Sequence, residues 1–256
     1  MRIGLIQLNT IWETKRKNFT RAENFVKKAA LKKCDVVVLP EMFNSGFTMN
    51  ISLIAERKNG ETSKFLAEQS KKHDINIIAG YAIKNLESKK GFNQGVIYNR
   101  KGKCIKTFTK IHSFSYAKEN EYFVSGDKVV TFELEGMPSS IFICFDLRFP
   151  EVFRRVAKKV HAIFVLANWP STRMEHWATL LKARAIENQC FVIGVNRIGK
   201  DGNGINYCGG SKIYGPLGHE ICSGSETDEF IFGEINSQEV LEARQAFPFL
   251  SSMRNL

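Results

Sequence analysis

Several features that define common protein classes are missing from this 256-residue sequence. Its six cysteines include no C-x-x-C pair, which argues against a structural zinc site. No apolar run approaches the roughly 20 residues needed to span a bilayer. The first residues lack the apolar core and small-residue cleavage site of a signal peptide. We therefore expect a cytoplasmic protein with free thiols, no metal and no membrane partner.

The chain also lacks a Pro/Gly/Ser-rich linker, a low-complexity tract and an internal repeat. Its length suffices for one large domain with a deep core. We therefore expect a single domain over residues 1–256. Strand-like and helix-like segments alternate from end to end, which predicts an α/β layered fold.

Acidic residues are fewer than basic ones, 26 against 37, and the formal net charge is +11. Nucleic-acid binding must be considered for such a chain, because clustered Lys and Arg are its electrostatic footprint. Here the basic residues are spread over polar faces of predicted helices, and no helix-turn-helix, zinc-finger or aromatic RNA-binding motif accompanies them. We expect no nucleic-acid partner. An anionic small substrate, or a surface selected for solubility, also fits the charge.

Hydrophobic spacing predicts the following order of elements. Strands are expected at 3–8, 35–39, 75–81, 93–98, 103–108, 129–134, 140–143, 161–166, 191–195, 211–214, 220–222 and 230–235. Helices are expected at 19–30, 65–73, 150–159, 174–188 and 237–244, the last one capped by Ser237.

One stretch combines a buried strand with a nucleophile. Ile141–Ile143 is apolar enough for a buried strand, Cys144 follows at its end, and Pro150 suits the first turn of a helix. A thiol at such a turn lies beside backbone N–H groups that lack helical acceptors, and these stabilise a thiolate or an oxyanion. Taken alone, however, Cys144 is better explained as a small buried hydrophobe, since that is the usual place of a free cysteine.

Two further residues complete a set for amide cleavage. Glu41 follows the buried strand at 35–39, where open α/β sheets build ligand crevices. Lys110 ends the second strand of the hairpin at 93–108. A carboxylate can deprotonate the thiol, and an ammonium can stabilise both the thiolate and the oxyanion. In isolation, Glu41 would be a loop or capping residue and Lys110 an edge lysine.

These residues lie in segments that resemble the nitrilase (carbon–nitrogen hydrolase) superfamily. The matching segments are Val37-Val38-Leu39-Pro40-Glu41-Met42-Phe43, Phe108-Thr109-Lys110-Ile111-His112-Ser113-Phe114 and Ile143-Cys144-Phe145-Asp146-Leu147-Arg148-Phe149-Pro150-Glu151. The resemblance implies a four-layer αββα sandwich, a homodimer formed through helices, and a Glu41-Lys110-Cys144 triad without a cofactor. It also implies an auxiliary carboxylate at Glu119, with Glu121 as the competing assignment.

Within this superfamily the chain is most similar to omega-amidases of the 2-oxoglutaramate type. The similarity lies in Ala167-Asn168-Trp169-Pro170-Ser171-Thr172-Arg173, in the helix that follows, and in Asn196-Arg197-Ile198-Gly199. It implies hydrolysis of the terminal amide of a small 2-oxo acid through a cysteine thioester. We expect Phe145 to donate its N–H to the oxyanion, and Trp169, Arg148 and Arg173 to bind substrate, either arginine being suited to its carboxylate.

Other functions stay open at this stage. Another carbon–nitrogen hydrolase, acting on N-carbamoyl compounds or nitriles, would use the same triad. A non-catalytic interaction module is a second alternative, against which the complete triad argues. A papain-like Cys–His enzyme is disfavoured, because none of the five histidines lies in a recognisable setting for its base.

Overall fold

The computed structural model describes residues 1–254 and contains two six-stranded sheets. The strands of the described residues are β1 (Arg2–Gln7), β2 (Val36–Val38), β3 (Asn76–Lys84), β4 (Gly91–Tyr98), β5 (Cys104–Thr109), β6 (Thr131–Leu134), β7 (Met137–Ile143), β8 (Ala162–Ala167), β9 (Phe191–Asn196), β10 (Ile198–Lys200), β11 (Asn206–Cys208), β12 (Lys212–Tyr214), β13 (Glu220–Ser223) and β14 (Glu229–Glu234). The helices are α1 (Lys15–Leu31), α2 (Ile51–Ile54), α3 (Glu61–His73), α4 (Glu119–Tyr122), α5 (Pro150–Arg154), α6 (Met174–Asn188) and α7 (Ser237–Ala246).

The two sheets are built in similar ways. The first has the order β14-β1-β2-β3-β4-β5 and the second the order β13-β12-β9-β8-β7-β6, while β10 and β11 form a separate hairpin. Strands β1, β2 and β3 run parallel in the first sheet, as do β7, β8 and β9 in the second. Antiparallel strands complete both edges. The carboxyl ends of two parallel sets are therefore available to build a site.

Side chains of the first sheet alternate between two cores, because successive residues of a strand point to opposite faces. Val37 belongs to the core that includes Phe25 and Val26 of α1. Val36 and Val38 belong to the core shared with the second sheet. Both faces of the strand are thus buried, as its continuous β-branched sequence predicts.

Helix α6 covers the outer face of the second sheet. Trp177 and Leu181 are fully buried there. They lie so close to Gly194 of β9 that a Cβ at this position would be 2.4 Å from Leu181 and 2.8 Å from Trp177. Helices therefore lie outside both sheets, and the four-layer αββα sandwich implied by the resemblance is confirmed.

Two local predictions were wrong. The helix that begins at Pro150 ends at Arg154 and is followed by a 3-10 turn at Ala157–Lys159, where Arg244 donates to the carbonyl of Ala157. The last helix is capped by Asn236, whose side chain accepts from the N–H of Gln238 at 3.0 Å; Ser237 is its first helical residue. Asparagine caps a helix as well as serine does, so the pattern alone did not separate the two.

Candidate active site

The three triad residues each follow a strand. Glu41 comes after β2, Lys110 directly after β5 and Cys144 directly after β7. The backbone of Glu41 lies against Gly80 of β3, where an added Cβ would come within 2.8 Å of the Glu41 Cα. A glycine at position 80 therefore allows the glutamate to approach the sheet this closely. The crevice predicted beyond the carboxyl end of β2 is present.

The ammonium of Lys110 lies between two buried carboxylates. Its Nζ is 3.0 Å from Oε1 of Glu41, and 3.1 and 2.9 Å from the two oxygens of Glu119. Both glutamate side chains are fully buried and that of Lys110 is 2% exposed. Burial alone lowers the pKa of Lys110, but the charges of Glu119 and Glu41 outweigh it and raise that pKa above its ordinary value. Lys110 is therefore a fixed cation.

Asn93 of β4 joins the same two carboxylates. Its Nδ2 donates to Oε1 of Glu41 at 2.8 Å and to Oε1 of Glu119 at 2.9 Å. The second oxygen of Glu119 accepts from the backbone N–H of Phe114 at 2.6 Å. Each carboxylate is thus held by several donors, although the cluster contains two carboxylates and one ammonium.

Asn168, which directly follows β8, contacts both Glu41 and Cys144. Its backbone N–H and its Nδ2 both donate to Oε2 of Glu41, at 2.9 and 3.2 Å. Its carbonyl oxygen lies 3.7 Å from Sγ of Cys144. The Glu41 carboxylate and the Cys144 thiol therefore both contact Asn168.

Cys144 begins a 3-10 turn at Cys144–Arg148 and has a φ of +46°. This left-handed conformation is costly for a residue with a side chain and turns the thiol out of the strand. Burial and the charge of Glu41 raise the pKa of the thiol well above its ordinary value, and Lys110 offsets only part of this. The side chain of Cys144 is thus a protonated thiol, which would need a base to become a thiolate. Phe145, next in the turn, has an N–H without a helical acceptor.

A cavity of about 330 Å³ opens over these groups, a size suited to a small ligand. It is lined by Glu41, Phe47, Met49, Lys110, Phe114, Ala117, Cys144, Phe145, Arg148, Asn168, Trp169, Pro170, Arg173, Asn203, Ile205 and Tyr207. Within the described residues, Glu41 is the only acidic side chain of this lining. The cavity is therefore apolar over much of its wall, with its buried charges at the triad.

Two arginines of the lining stack on aromatic rings. The Cζ of Arg148 lies 4.7 Å from the ring of Trp169, and that of Arg173 lies 5.7 Å from the ring of Phe114. Neither forms an ion pair with an acid in the part of the chain that the structure describes. Burial and the nearby charge of Arg173 lower the pKa of Arg148. The two guanidiniums thus both line the cavity without an acidic partner among residues 1–254.

The structure brings all eight residues singled out in the sequence to one place. Seven of them line the cavity. The eighth, Glu119, accepts a hydrogen bond from one of these seven, Lys110, at 2.9 Å. Glu121, the competing carboxylate, is exposed. Sequence reasoning assigned no role to Asn93 or Asn168, since asparagines carry no signal for what they contact. Among residues 1–254 no group of three His, Cys, Asp or Glu side chains is arranged to hold a metal, and no helix is long and apolar enough to cross a membrane.

Comparisons with known proteins show which family the chain resembles. The sequence profile of the carbon-nitrogen hydrolase family matches residues 2–245. The chain is 34% identical over 254 residues to a 2-oxoglutaramate amidase of Bacillus subtilis (strain 168), covering 98% of this chain and 97% of that protein. It is 32% identical over 249 residues to an omega-amidase of Escherichia coli (strain K12), covering 97% and 94%.

The fold comparison points the same way. A solved carbon–nitrogen hydrolase superfamily protein of Xanthomonas campestris, with an arsenic adduct in its active site, superposes with a TM-score of 0.94 at 30% identity, covering 100% of this chain and 98% of that one. With its profile match, its relatives and its four-layer fold, the chain belongs to the carbon–nitrogen hydrolase family.

Proposed function

We propose that the protein is an amidase that hydrolyses the terminal amide of a small 2-oxo acid, such as 2-oxoglutaramate or 2-oxosuccinamate, to the acid and ammonia. The observation that carries this proposal is the composition of one cavity. A thiol, a carboxylate and an ammonium lie in its buried part, and two guanidiniums that form no ion pair with an acid of the described chain lie on its wall. The amidase relatives named above support the same reaction class.

The charges of the cavity favour an oxo acid over an amino acid. The substrate carboxylate finds Arg148 or Arg173, neither of which pairs with an acid among residues 1–254. The ammonium of glutamine or asparagine would face these same cations. In the described lining, the only acid that could receive it is Glu41, which is already bound to Lys110, Asn93 and Asn168. A 2-oxo group carries no charge, so it is not repelled by the two arginines.

The first half of the reaction forms the thioester. Glu41 takes the proton of Cys144, a transfer that leaves the total charge of the buried cluster unchanged, and the thiolate attacks the amide carbon. The oxyanion is stabilised by Lys110 and by the N–H of Phe145. Glu41 then returns the proton to the leaving nitrogen, and ammonia departs.

The second half consumes water. Glu41 deprotonates a water molecule, which attacks the thioester carbon, and the same donors stabilise the second oxyanion. The C–S bond breaks, Cys144 recovers its proton, and the acid is released. Glu119 touches no reacting atom in this scheme. It holds Lys110 in place through the contacts of both its carboxylate oxygens with Nζ.

The test is an ammonia-release assay over a panel of substrates. It contains 2-oxoglutaramate, 2-oxosuccinamate, glutamine, asparagine, N-carbamoyl amino acids and simple nitriles. We expect the two oxo-acid amides to give the highest kcat/KM. A higher kcat/KM for carbamoyl compounds or nitriles would instead identify one of the other hydrolases of this family.

The covalent scheme has its own test. Cys144→Ala should abolish ammonia release from 2-oxoglutaramate while leaving the circular dichroism spectrum unchanged. Cys104→Ala, which removes an exposed thiol, should retain full activity. Turnover by Cys144→Ala would refute the thioester mechanism.

We further propose a homodimer formed through the face of α6 and α7. Large apolar side chains remain exposed there: Ile186 (42%), Leu217 (64%), Leu241 (48%) and Phe247 (65%). Ile186 lies against Gly218, beside Leu217, and Gln189 ties the end of α6 to the carbonyl of Phe247. Light scattering should give a dimer that Leu217→Glu dissociates, while Leu86→Glu, at an even more exposed site (76%) in the turn between β3 and β4, should not.

We also propose a cytoplasmic location for the enzyme. All six cysteines are free thiols, as expected in a reducing compartment. Fractionation of cells that express the protein should place the activity with cytoplasmic markers, and recovery with the membranes would contradict this.

A further inference from the structure

One buried carboxylate beside the active site has no part in the reaction scheme. Asp146 is fully buried and lies two residues after Cys144. Its Oδ1 is 2.8 Å from Nδ1 of His112 and also accepts from the backbone N–H of His112 at 2.8 Å. Its Oδ2 accepts from the N–H of Ile143 at 3.1 Å. Burying this carboxylate without hydrogen-bond donors would cost free energy, so the three groups around it stabilise its buried position.

We infer that the His112–Asp146 pair is a positioning device. It holds the nucleophile turn (Cys144–Arg148) and the lysine segment (Lys110–His112) in a fixed position relative to each other. The inference rests on where the donors lie in the chain. His112 stands two residues after Lys110, and Ile143 immediately precedes Cys144. One carboxylate therefore joins the segment that carries the ammonium to the segment that carries the thiol, although β5 and β7 belong to different sheets.

The imidazole is itself held in a fixed orientation. Its ring stacks on Phe149 with centroids 3.8 Å apart and planes 7° apart. Phe149 in turn contacts Phe145 edge to face at 5.3 Å. The stacking fixes the plane of the imidazole ring, with Nδ1 2.8 Å from Oδ1 of Asp146. Nδ1 can donate a hydrogen bond to this oxygen both in the imidazolium and in the neutral tautomer that carries the proton on Nδ1.

The nucleophile turn needs such support because its conformation is strained. Cys144 has a φ of +46°, and the hydrogen bond from Ile143 to Asp146 closes the turn around it. If that bond weakens, the turn can relax and displace Sγ from Lys110 and Asn168. Displacements well under 1 Å from the productive geometry are enough to lower kcat strongly.

The test compares two substitutions at one position. His112→Phe keeps a ring to stack on Phe149 but removes the donor. His112→Asn restores an amide donor near the place of Nδ1. The control is His219→Phe, which breaks the other histidine–carboxylate pair of the described chain, a partly exposed contact of 3.1 Å between His219 and Glu239.

Two readouts separate positioning from mere stability. One is kcat and KM per active site. The other is the rate at which iodoacetamide labels Cys144 relative to Cys104, followed by peptide mass spectrometry, which needs no substrate. We expect His112→Phe to lower kcat about 10- to 100-fold with KM within about threefold, and to lower the Cys144/Cys104 labelling ratio at least about fivefold. His112→Asn should recover most of both, and His219→Phe should match the unsubstituted enzyme.

Three results would overturn the inference. The first is an unchanged kcat in His112→Phe. The second is a lower melting temperature and kcat with an unchanged labelling ratio, which would mean that the pair only stabilises the fold. The third is equal damage in His112→Asn and His112→Phe, which would show that the donor is not what matters. Because labelling is independent of substrate, a wrong choice of substrate would leave this readout intact.

Discussion

Asn168 holds Glu41 through two different groups. Its backbone N–H and its side-chain amide both reach Oε2 of the glutamate, at 2.9 and 3.2 Å, and the same amide donates to the Glu41 carbonyl at 2.7 Å. The other carboxylate oxygen is left to Lys110 and Asn93. The carboxylate of Glu41, the base of the proposed mechanism, is therefore fixed in rotation as well as in position, because each of its two oxygens has its own donors.

Asn168→Ala should reduce kcat on the preferred amide about tenfold, with little change in KM. The alanine removes two hydrogen bonds of about 1 kcal/mol each but keeps the backbone donor. Asn168→Asp should be worse, since it adds a third carboxylate next to Glu41. Steady-state kinetics decide the matter, with Asn24→Ala, an exposed position of α1, as the control. Equal activity in Asn168→Ala and Asn168→Asp would contradict the role given to the amide.

Glu119→Gln should lower kcat far more than Glu121→Gln. Glu119 is fully buried and receives Lys110, Asn93 and the N–H of Phe114, whereas Glu121 is exposed. The neutral amide cannot accept from all of these donors, so Lys110 loses its second anchor. We expect a loss of about 10- to 1000-fold in kcat for position 119, typical of residues that position catalytic groups. Activity that survives at 119 but falls at 121 would reverse the assignment of the auxiliary carboxylate.

Arg173→Ala should raise KM for oxo-acid amides more than for neutral amides. A charge-assisted hydrogen bond contributes about 1.5–3 kcal/mol, so the expected change is roughly 10- to 150-fold in kcat/KM for the anionic substrate. The neutral amide that lacks the carboxylate should change by less than about threefold. Arg155→Ala, exposed and outside the cavity lining, is the control. Equal effects on both substrates would remove the carboxylate-binding role.

Stability should decline at alkaline pH because of the buried thiol of Cys190. Burial raises its pKa from 9.0 to about 12. The folded state thus keeps a proton that the unfolded state releases, so this contribution is complete below pH 9 and is lost as pH rises from 9 towards 12. Cys190→Ala should flatten the decline by up to about 1.4 kcal/mol per pH unit.

Urea unfolding under reducing conditions at several pH values between 8 and 10.5 measures this slope. The packing cost of the alanine is the same at every pH and cancels from the comparison. Parallel curves for the two proteins would show that Cys190 ionises equally in the folded and unfolded states.

Sequence patterns predicted much of the fold because its strands are short, apolar and bounded by turn residues. The nucleophile turn could be predicted equally well. Ile143, Cys144 and Pro150 are close in sequence, so the strand, the turn and the helix that they belong to follow one another directly. The triad could be assembled from the sequence only through its resemblance to a family. The gaps between Glu41, Lys110 and Cys144 carry no information on distance.

The hydrogen bonds from the side-chain amides of Asn93 and Asn168 to Glu41 could not be predicted in the same way. Asn168 and Glu41 are 127 residues apart, and Asn93 and Glu41 are 52 apart. Whether an asparagine faces solvent or a carboxylate depends on how the loops of two sheets approach each other, which no local pattern encodes. Asp146 was overlooked for a related reason: an acid in a helical first turn looks like an ordinary capping residue, and only the structure places His112 opposite it.

The left-handed backbone of Cys144 also sets a limit on how stable this enzyme can become. A residue with a side chain costs about 1–2 kcal/mol at such a φ, whereas glycine adopts it freely. The substitution that would relieve the strain most simply, Cys144→Gly, is also one that removes the nucleophile. Selection for thermal resistance would therefore have to improve other parts of the fold, since the stability given up at this residue cannot be recovered while the thiol is kept.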